Sequence, residues 1–407
     1  MKPDPSHTRT LVLVSMLHGF THLYQVALMP LYLPMQKTFG LESIGSATFL
    51  VTLLMLAYFL PAYPMGVLAD HFSRKKLLGL GLACNGLGFV GLALAPTYPL
   101  ALASMVVCGV GGSCFHPAAT ALIARLFPVN TGRALGLIGI GAGVGFFLGP
   151  IYAGWRATQS GDWRTPVLEL GLLGLVGAAL FQWLAEDTPV VVHAPHATRP
   201  TGKLFDRPAA LALFLAAATA FSLRDFAGSS MGSLGSLFLQ HAHGYTLQQT
   251  GVALSGIFLA SVISNPLFGH LSDRGRVWWS AFVLIMAAAM VALFPHLRPG
   301  WFFFAFMAYG FFFMASYPMV EAGVMQAVHD SVRGRAFGLW ISIGGLIGNL
   351  SHWLVGGWVE ALGPRAQEPA GYFLIYGGLG AFILLSMLGL PCLQAIRRRE
   401  HGGAEKS

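Results

Sequence analysis

Twelve long apolar segments constrain what this sequence of 407 residues can fold into. A helix needs about 20 apolar residues to cross a bilayer, and only helices or closed barrels satisfy their own backbone polar groups there. Charged residues make up only 10% of the chain, against about 25% in soluble domains. The sequence therefore predicts an all-α membrane protein with twelve transmembrane helices. The predicted spans are residues 10–35, 45–68, 77–95, 98–124, 134–156, 165–185, 208–236, 248–270, 278–295, 301–327, 336–360 and 371–394.

Lys and Arg residues are distributed unevenly among the loops. Of the 24, eighteen lie in the termini and even-numbered loops, five lie in odd-numbered loops, and Arg224 lies inside a span. Because basic loops stay in the cytoplasm, both termini are predicted to be cytoplasmic. The basic clusters are short and separated, so the net charge of +8 does not form one face for nucleic acid, and no such partner is expected.

A polar stretch rich in Pro, His and Thr divides the chain. It covers residues 186–207 and is predicted to be a cytoplasmic linker. On either side lie an N-terminal six-helix half, residues 1–185, and a C-terminal half with a short cytoplasmic tail, residues 208–407.

The two halves repeat each other. GVLAD at 66–70 recurs as GHLSD at 269–273, 203 residues later, and GRALGL at 132–137 recurs as GRAFGL at 334–339, 202 residues later. Duplicated halves are typical of secondary transporters, so the sequence favours a pseudo-symmetric transporter fold.

The loop after the second span carries the most specific motif. GVLADHFSRKK at 66–76, with its degenerate copy GHLSDRGR at 269–276, resembles the loop signature of the major facilitator superfamily. Ser73 stands where that family usually has glycine. The resemblance implies the fold of that superfamily. It also implies a conformational role for five residues of the two loops: Gly66, Asp70, Arg74, Gly269 and Asp273.

The fifth span resembles the antiporter motif of the same superfamily, which occurs mainly in drug exporters. Its residues Gly145, Gly149 and Pro150 are followed by Ala153 and Gly154, where the family has two glycines. Small residues allow close helix packing, and a proline removes one helix hydrogen bond and favours a bend. A packing stripe without a transport role is the alternative interpretation.

Two further segments resemble the fosmidomycin-resistance branch of this superfamily. They are LHGFTHLYQ at 17–25 and GVGGSCFHP at 109–117. That branch tends to have Asp where this chain has His22 and Glu where it has Ala118. Many drug antiporters also carry an Arg where Met105 stands.

Ionisable residues inside spans are functional candidates because they are costly in a membrane. The first half has His22 and His116, and the second has Asp225 and Glu321. The resemblance implies that spans 1, 4, 7 and 10, which hold them, line the central cavity. Asp225 lies 203 residues after His22, the same interval as the repeat. Both acids are predicted to exchange protons during transport, and a structural ion pair is the alternative.

The predicted substrate contacts lie on the same four spans. Residues His18, His22 and Gln25 share one helix face. Because adjacent side chains on a helix point about 100° apart, Arg224 is expected to bond Glu321 or an anionic substrate group rather than Asp225. The predicted substrate-binding residues are His18, His22, Tyr24, Gln25, His116, Arg224 and Tyr317.

These features favour a monomeric, proton-coupled antiporter that exports a small organic compound through a bacterial inner membrane. The alternative is a proton symporter or facilitator for uptake of a metabolite such as an organic anion. No enzyme is expected, since no nucleophile or phosphate-binding motif is present. Metal ligation by His22, His116 and Asp225 has no supporting spacing, so neither a metal nor a cofactor is expected.

Overall fold

The computed structural model describes residues 5–187, 204–205, 207–328 and 333–401, and the regular structure within them is helical. The α-helices are α1 (Pro5–Val26), α2 (Tyr32–Thr38), α3 (Ile44–Phe59), α4 (Ala62–His71), α5 (Arg74–Leu94), α6 (Tyr98–Ser113), α7 (Phe115–Leu126), α8 (Thr131–Ser160), α9 (Arg164–Leu184), α10 (Pro208–His243), α11 (Leu247–Leu259), α12 (Ser261–Ser272), α13 (Arg276–Leu293), α14 (Phe302–Ala327), α15 (Arg333–Asn349), α16 (Ser351–Ala361), α17 (Phe373–Ser386) and α18 (Gly389–His401). The predicted all-α class is confirmed. Most of the predicted linker 186–207 lies outside the described residues.

Ten helical segments of the described chain are long and apolar enough to cross a membrane, and the bent pair α3 and α4 makes eleven. The remaining predicted span, 336–360, is divided at Leu350 into α15 with 17 residues and α16 with 11. Each piece is shorter than the roughly 20 residues that a crossing needs. The count of twelve spans and the cytoplasmic position of the termini stay predictions.

The described helices group into two compact units. The first comprises the described residues of Met1–Val192, Gly232–Ser255 and His352–Gln367, and the second comprises those of His193–Met231, Gly256–Ser351 and Glu368–Ser407. The first unit therefore holds α1 to α9 together with the last part of α10, the larger part of α11 and nearly all of α16. The predicted division into two halves at the linker is based on the sequence repeat and not on these units, and it stays a prediction.

A break between α6 and α7 at Cys114 places one of the predicted site residues. Pro117 has no backbone N–H to give the carbonyl of Ser113. The N–H of Cys114 bonds the carbonyl of Gly111 at 3.2 Å, in the tighter 3₁₀ manner. The new helix begins directly after the break, so His116 lies in its first turn.

Glycines of α8 bring that helix against the backbone of α1. A methyl group added at Gly141 would overlap the carbonyl oxygen of Ser15, and one added at Gly145 would overlap that of Gly19. At Gly149 the added carbon would lie 3.1 Å from a carbonyl oxygen of α1. The spacing of four residues keeps all three glycines on one side of the helix, so α8 contacts α1 along its length.

Candidate functional site

Three histidines of the first unit come together. His18 and His22 lie one turn apart on α1, and His116 lies in the first turn of α7. One ring nitrogen from each can be chosen so that all three atoms lie within 4.8 Å of one another. The ring centroids are 4.7 Å apart for His18 and His22 and 5.2 Å apart for His18 and His116. The structure thus unites three of the predicted substrate-binding residues.

Hydrogen bonds orient two of these imidazoles. The Nδ1 atom of His18 lies 3.0 Å from the carbonyl oxygen of Ile138 on α8. The Nδ1 atom of His22 lies 3.0 Å from Oε1 of Gln25, one turn further along α1. Their Nε2 atoms face each other at 3.0 Å. Each ring is therefore held at Nδ1 and presents Nε2 to the other.

Aromatic rings complete the surroundings of this group. Phe115 stacks on His18 with centroids 4.6 Å apart, and Phe146 stacks on His22 at 4.2 Å. His18 and His22 are half-buried and His116 is exposed. The roles of Phe146 and of the Ile138 carbonyl were not predicted, although Phe146 follows a glycine of the packing stripe and so belongs to the face near α1. The group therefore presents imidazole nitrogen atoms, with aromatic rings stacked beside them, to a ligand.

Tyr24 is not part of the histidine group in the structure. Its side chain is buried, its hydroxyl donates to the carbonyl of Leu170 at 2.9 Å, and its ring packs edge-on against Phe89 at 4.4 Å. These contacts place it in the packing of α1 against α5 and α9. Gln25, by contrast, serves the group through its bond to His22.

The second unit contains a buried ion pair within α10. Two nitrogens of Arg224 donate to Oδ1 of Asp225, with Nε at 3.0 Å and Nη2 at 2.8 Å. Asp225, and not the expected Glu321, is therefore the direct partner of Arg224. Adjacent side chains leave the helix in directions about 100° apart, but the long arginine side chain bends back to its neighbour. The arginine side chain is 2% exposed and that of Asp225 is 17% exposed, so the acid is the accessible partner.

Tyr317 and Glu321 on α14 accompany this pair. The guanidinium carbon of Arg224 lies 4.1 Å from the ring centroid of Tyr317, a cation–π contact. Glu321 follows Tyr317 by one turn on α14. The direct acidic partner of Arg224 is Asp225.

Two glycines of α15 make room for Asp225. A carbon added at Gly344 would lie 2.5 Å from Oδ2 of Asp225, and one added at Gly348 would lie 2.9 Å from its Cβ atom. These glycines were not predicted. They lie 203 residues after Gly141 and Gly145, so the repeat interval was a signal that could have identified them.

The loop motif of the first half forms a capped helix start. Ser73 precedes α5 and its hydroxyl accepts from the N–H of Lys76 at 3.1 Å. The same hydroxyl donates to Asp187 at 2.8 Å. Serine thus caps the helix where the family usually has glycine. Arg74 is the first residue of α5, Gly66 lies within α4, and the side chain of Asp70 lies outside the described part of the structure.

The second copy of the loop is more open. Asp273 ends α12 and lies 3.7 Å from Arg276 on α13, with the acid side chain 69% exposed. A carbon added at Gly269 would meet no atom within 4 Å. The conformational role of these loops stays a prediction.

A polar chain within the first unit joins segments that are distant in sequence. Tyr32 bonds Ser233 at 2.8 Å, and the Ser233 hydroxyl bonds Nδ1 of His352 at 2.6 Å. Ser236 donates to the carbonyl of Met29 at 2.6 Å. We call this set of contacts, made by Tyr32, Ser233, His352, Ser236 and Met29, the far seam. Because a helix rises 1.5 Å per residue, the far seam lies about 35 Å along the chain from the start of α1. It therefore joins the helix ends remote from the N-terminus.

Glycines bring the backbones together along the far seam. A methyl at Gly251 would overlap the carbonyl oxygen of Pro150, which lies inside the continuous helix α8. A methyl at Gly356 of α16 would lie 2.6 Å from the Cα atom of Gly45 and would also overlap Thr48. Only glycine fits at these contacts, so the seam closes backbone to backbone.

Comparison with known proteins identifies the family. The model of the Major Facilitator Superfamily matches residues 11–352. An uncharacterized MFS-type transporter of Bacillus subtilis is 23% identical over 410 residues, which cover 93% of this chain and 91% of the relative. The fosmidomycin resistance protein of Escherichia coli is 22% identical over 346 residues, covering 82% of this chain and 83% of that protein. A multidrug resistance protein B homolog of Mycobacterium tuberculosis is 25% identical over 360 residues, covering 87% of this chain and 54% of that protein.

Solved structures agree on the fold. A bacterial homolog of the human lysosomal transporter Spinster, in an inward-facing conformation, has a TM-score of 0.77 at 16% identity, covering 97% of this chain and 98% of that one. The nucleoside transporter NupG has a TM-score of 0.75 at 17% identity, covering 94% and 99%. The motifs, the helical fold and the match to the family model agree. This chain belongs to the Major Facilitator Superfamily and is an integral, multi-pass membrane transporter of a small molecule, not an enzyme.

Proposed function

We propose that this chain is a proton-coupled antiporter that exports a small organic compound across a bacterial inner membrane. It works as a monomer with both termini in the cytoplasm. Asp225 and Glu321 exchange the proton, and the histidine group with Gln25, Arg224 and Tyr317 contacts the compound.

The observation that carries the proposal is the ion pair of Arg224 and Asp225 in the second unit, with Tyr317 and Glu321 on the neighbouring helix α14. Arg224 is buried and keeps its charge, whereas Asp225 is partly exposed and can exchange a proton. Protonation of Asp225 weakens its bond to the guanidinium, and Glu321, one turn beyond Tyr317 on α14, then becomes the better partner. A proton is thereby converted into a movement of Arg224 beside Tyr317.

Export is supported by the antiporter-like residues and by the names of two relatives. Gly145 and Gly149 form the stripe on which α8 packs, in the span that resembles the motif of drug exporters. The relatives are called fosmidomycin resistance and multidrug resistance proteins. Uptake of an anion is less well supported, because Arg224 is almost fully buried and already has an acidic partner.

The far seam supports alternating access. Because its residues belong to one compact unit, the helix ends remote from the N-terminus are closed. With cytoplasmic termini this is the outer side, which must open in the other state of the cycle.

Substitution of the two acids tests the coupling. We expect Asp225→Asn and Glu321→Gln each to lower proton-coupled transport at least tenfold, because neither amide can release a proton. The measurement begins with resistance of an exporter-deficient strain to a panel of antibiotics that includes fosmidomycin. The compound to which resistance is highest is then added to inside-out vesicles with an acidic interior, and dissipation of the pH gradient is recorded.

Substrate exchange without a gradient is the matched control, since the variants should still exchange compound for compound. Unchanged coupled transport in both variants overturns the assignment of the acids. Accumulation of the compound in whole cells under an inward proton gradient overturns export and favours symport.

Neighbouring glycines in α16 test the far seam. We expect Gly356→Leu to prevent closure and abolish transport, because its side chain meets Gly45 and Thr48. Gly357→Leu should transport normally, since an added carbon there meets no atom within 4 Å. Opening is measured by labelling Ser233→Cys, a fully buried position, with a membrane-impermeant maleimide in intact cells. Equal labelling in the two glycine backgrounds would contradict closure at Gly356.

A further inference from the structure

We propose that His18, His22 and His116 form a binding site for a divalent transition-metal ion of the zinc, cobalt and nickel class. The proposed function assigns these histidines to the exported compound alone, and the present proposal gives them a metal ion as a further ligand. Metal binding itself is independent of transport, and only its consequence for transport rests on the proposed function.

The separations of the nitrogens suit such an ion. Zinc binds imidazole nitrogen at about 2.0–2.1 Å, so two ligands at the tetrahedral angle lie about 3.3 Å apart. The Nε2 atoms of His18 and His22 are 3.0 Å apart. One ring nitrogen of His116 lies within 4.8 Å of a ring nitrogen of each of the other two histidines, and a shift of this exposed side chain completes the set.

The hydrogen bonds leave the two Nε2 atoms without protons. A carbonyl oxygen only accepts, so His18 must donate to Ile138 from Nδ1. Oε1 of Gln25 likewise only accepts, so His22 donates from Nδ1. A neutral imidazole has one N–H, and two lone pairs then face each other across 3.0 Å. A cation between them removes this repulsion.

A proton or a turned-over Gln25 amide would also satisfy the two rings. Neither uses the third histidine, however, and three converging imidazoles match the donor set that zinc, cobalt and nickel prefer. The contacts to Ile138 and Gln25 are of the kind that orient metal-bound histidines through the other ring nitrogen. Stacking on Phe115 and Phe146 fixes the ring planes further.

The donor set also indicates what else the ion would bind. Three neutral ligands leave a tetrahedral site with one open position and both positive charges of the ion uncompensated. An anionic oxygen donor on the exported compound fits that position. The inferred substrate class is therefore a small organic compound with a metal-chelating oxygen group.

Metal titration of the purified protein tests the site. The full chain, with any histidine tag removed, is titrated in detergent with ZnCl₂ by calorimetry and with CoCl₂ by visible absorption. We expect one ion per chain with micromolar affinity, no comparable binding of Mg²⁺ or Ca²⁺, and a Co²⁺ spectrum typical of tetrahedral nitrogen ligation. His22→Asn and His116→Asn should weaken binding at least tenfold. His296→Asn, a histidine of the second unit, should bind as the unsubstituted protein does.

Thermal unfolding with and without zinc tests the site even if a variant is less stable than the unsubstituted protein. Zinc should raise the melting temperature of the unsubstituted protein and of His296→Asn, but not of His22→Asn or His116→Asn. Absence of Zn²⁺ and Co²⁺ binding to folded, transport-active protein overturns the metal site and leaves the antiporter proposal intact. Binding that persists in both histidine variants also overturns it, because the ion then lies elsewhere. Metal binding in a protein that transports nothing would instead count against the antiporter.

Discussion

Replacement of Gly145 by alanine should destabilise this protein by about 3 kcal/mol and lower the amount found in membranes. The added methyl group would overlap the carbonyl oxygen of Gly19, which is backbone and cannot rotate away. Overpacking of a well-packed interface costs typically about 1–3 kcal/mol, and a backbone neighbour places this substitution at the upper end. The measurement is thermal unfolding in detergent, followed by tryptophan fluorescence, together with the yield of folded protein.

Gly143 provides the matched control, two residues away in the same helix. An added carbon there meets no atom within 4 Å, so Gly143→Ala should leave stability unchanged or raise it by about 0.5–1 kcal/mol through helix propensity. Equal melting temperatures for the two alanine variants would show that the contact of α8 with α1 is looser than the structure has it. A loss of stability in Gly143→Ala alone would show that the side of α8 that carries Gly143, and not the side that carries Gly145, packs against α1.

Helical class and family were predictable because they depend on local signals. Runs of apolar residues identify spans whatever their neighbours do, and the loop at 66–76 carries the family motif in consecutive residues. The shared face of His18, His22 and Gln25 follows from helix periodicity alone. The division of the predicted span 336–360 at Leu350 has no such signal, since neither glycine nor proline stands at the break.

Contacts between residues distant in sequence were harder to predict. The position of His116 beside His18 depends on the break at Cys114 and on how α7 packs, which no spacing within one helix encodes. The bond of Arg224 to Asp225 depends on side-chain torsions, and Cβ directions alone gave the wrong partner. The far seam joins Tyr32 to Ser233, and only packing of complete helices reveals that contact.

Removal of Arg224 should cost more stability than removal of the whole pair. Arg224→Met leaves Asp225 among buried groups without its cation, and breaking a buried pair costs about 3–5 kcal/mol. The double variant Arg224→Met/Asp225→Leu removes both charges, which is often neutral or stabilising when the replacements fill the space. We therefore expect a low melting temperature for the single variant and recovery towards the original value in the double variant. Thermal unfolding in detergent, with Arg224→Lys as a control that retains the charge, measures both.

The double variant also separates the two roles of the ion pair. If the pair only neutralises buried charge, a stable double variant should transport and dissipate a pH gradient like the unsubstituted protein. If Asp225 carries the proton, the same variant should be folded, present in the membrane and still able to exchange compound for compound, yet at least tenfold slower in proton-coupled transport. Glu321 remains in that variant without Arg224, and the proposed mechanism, in which Arg224 moves between the two acids, predicts that Glu321 alone does not restore the exchange. Full coupling in the stable double variant would reduce Arg224 and Asp225 to a structural pair and leave Glu321 as the acid that couples protons to export.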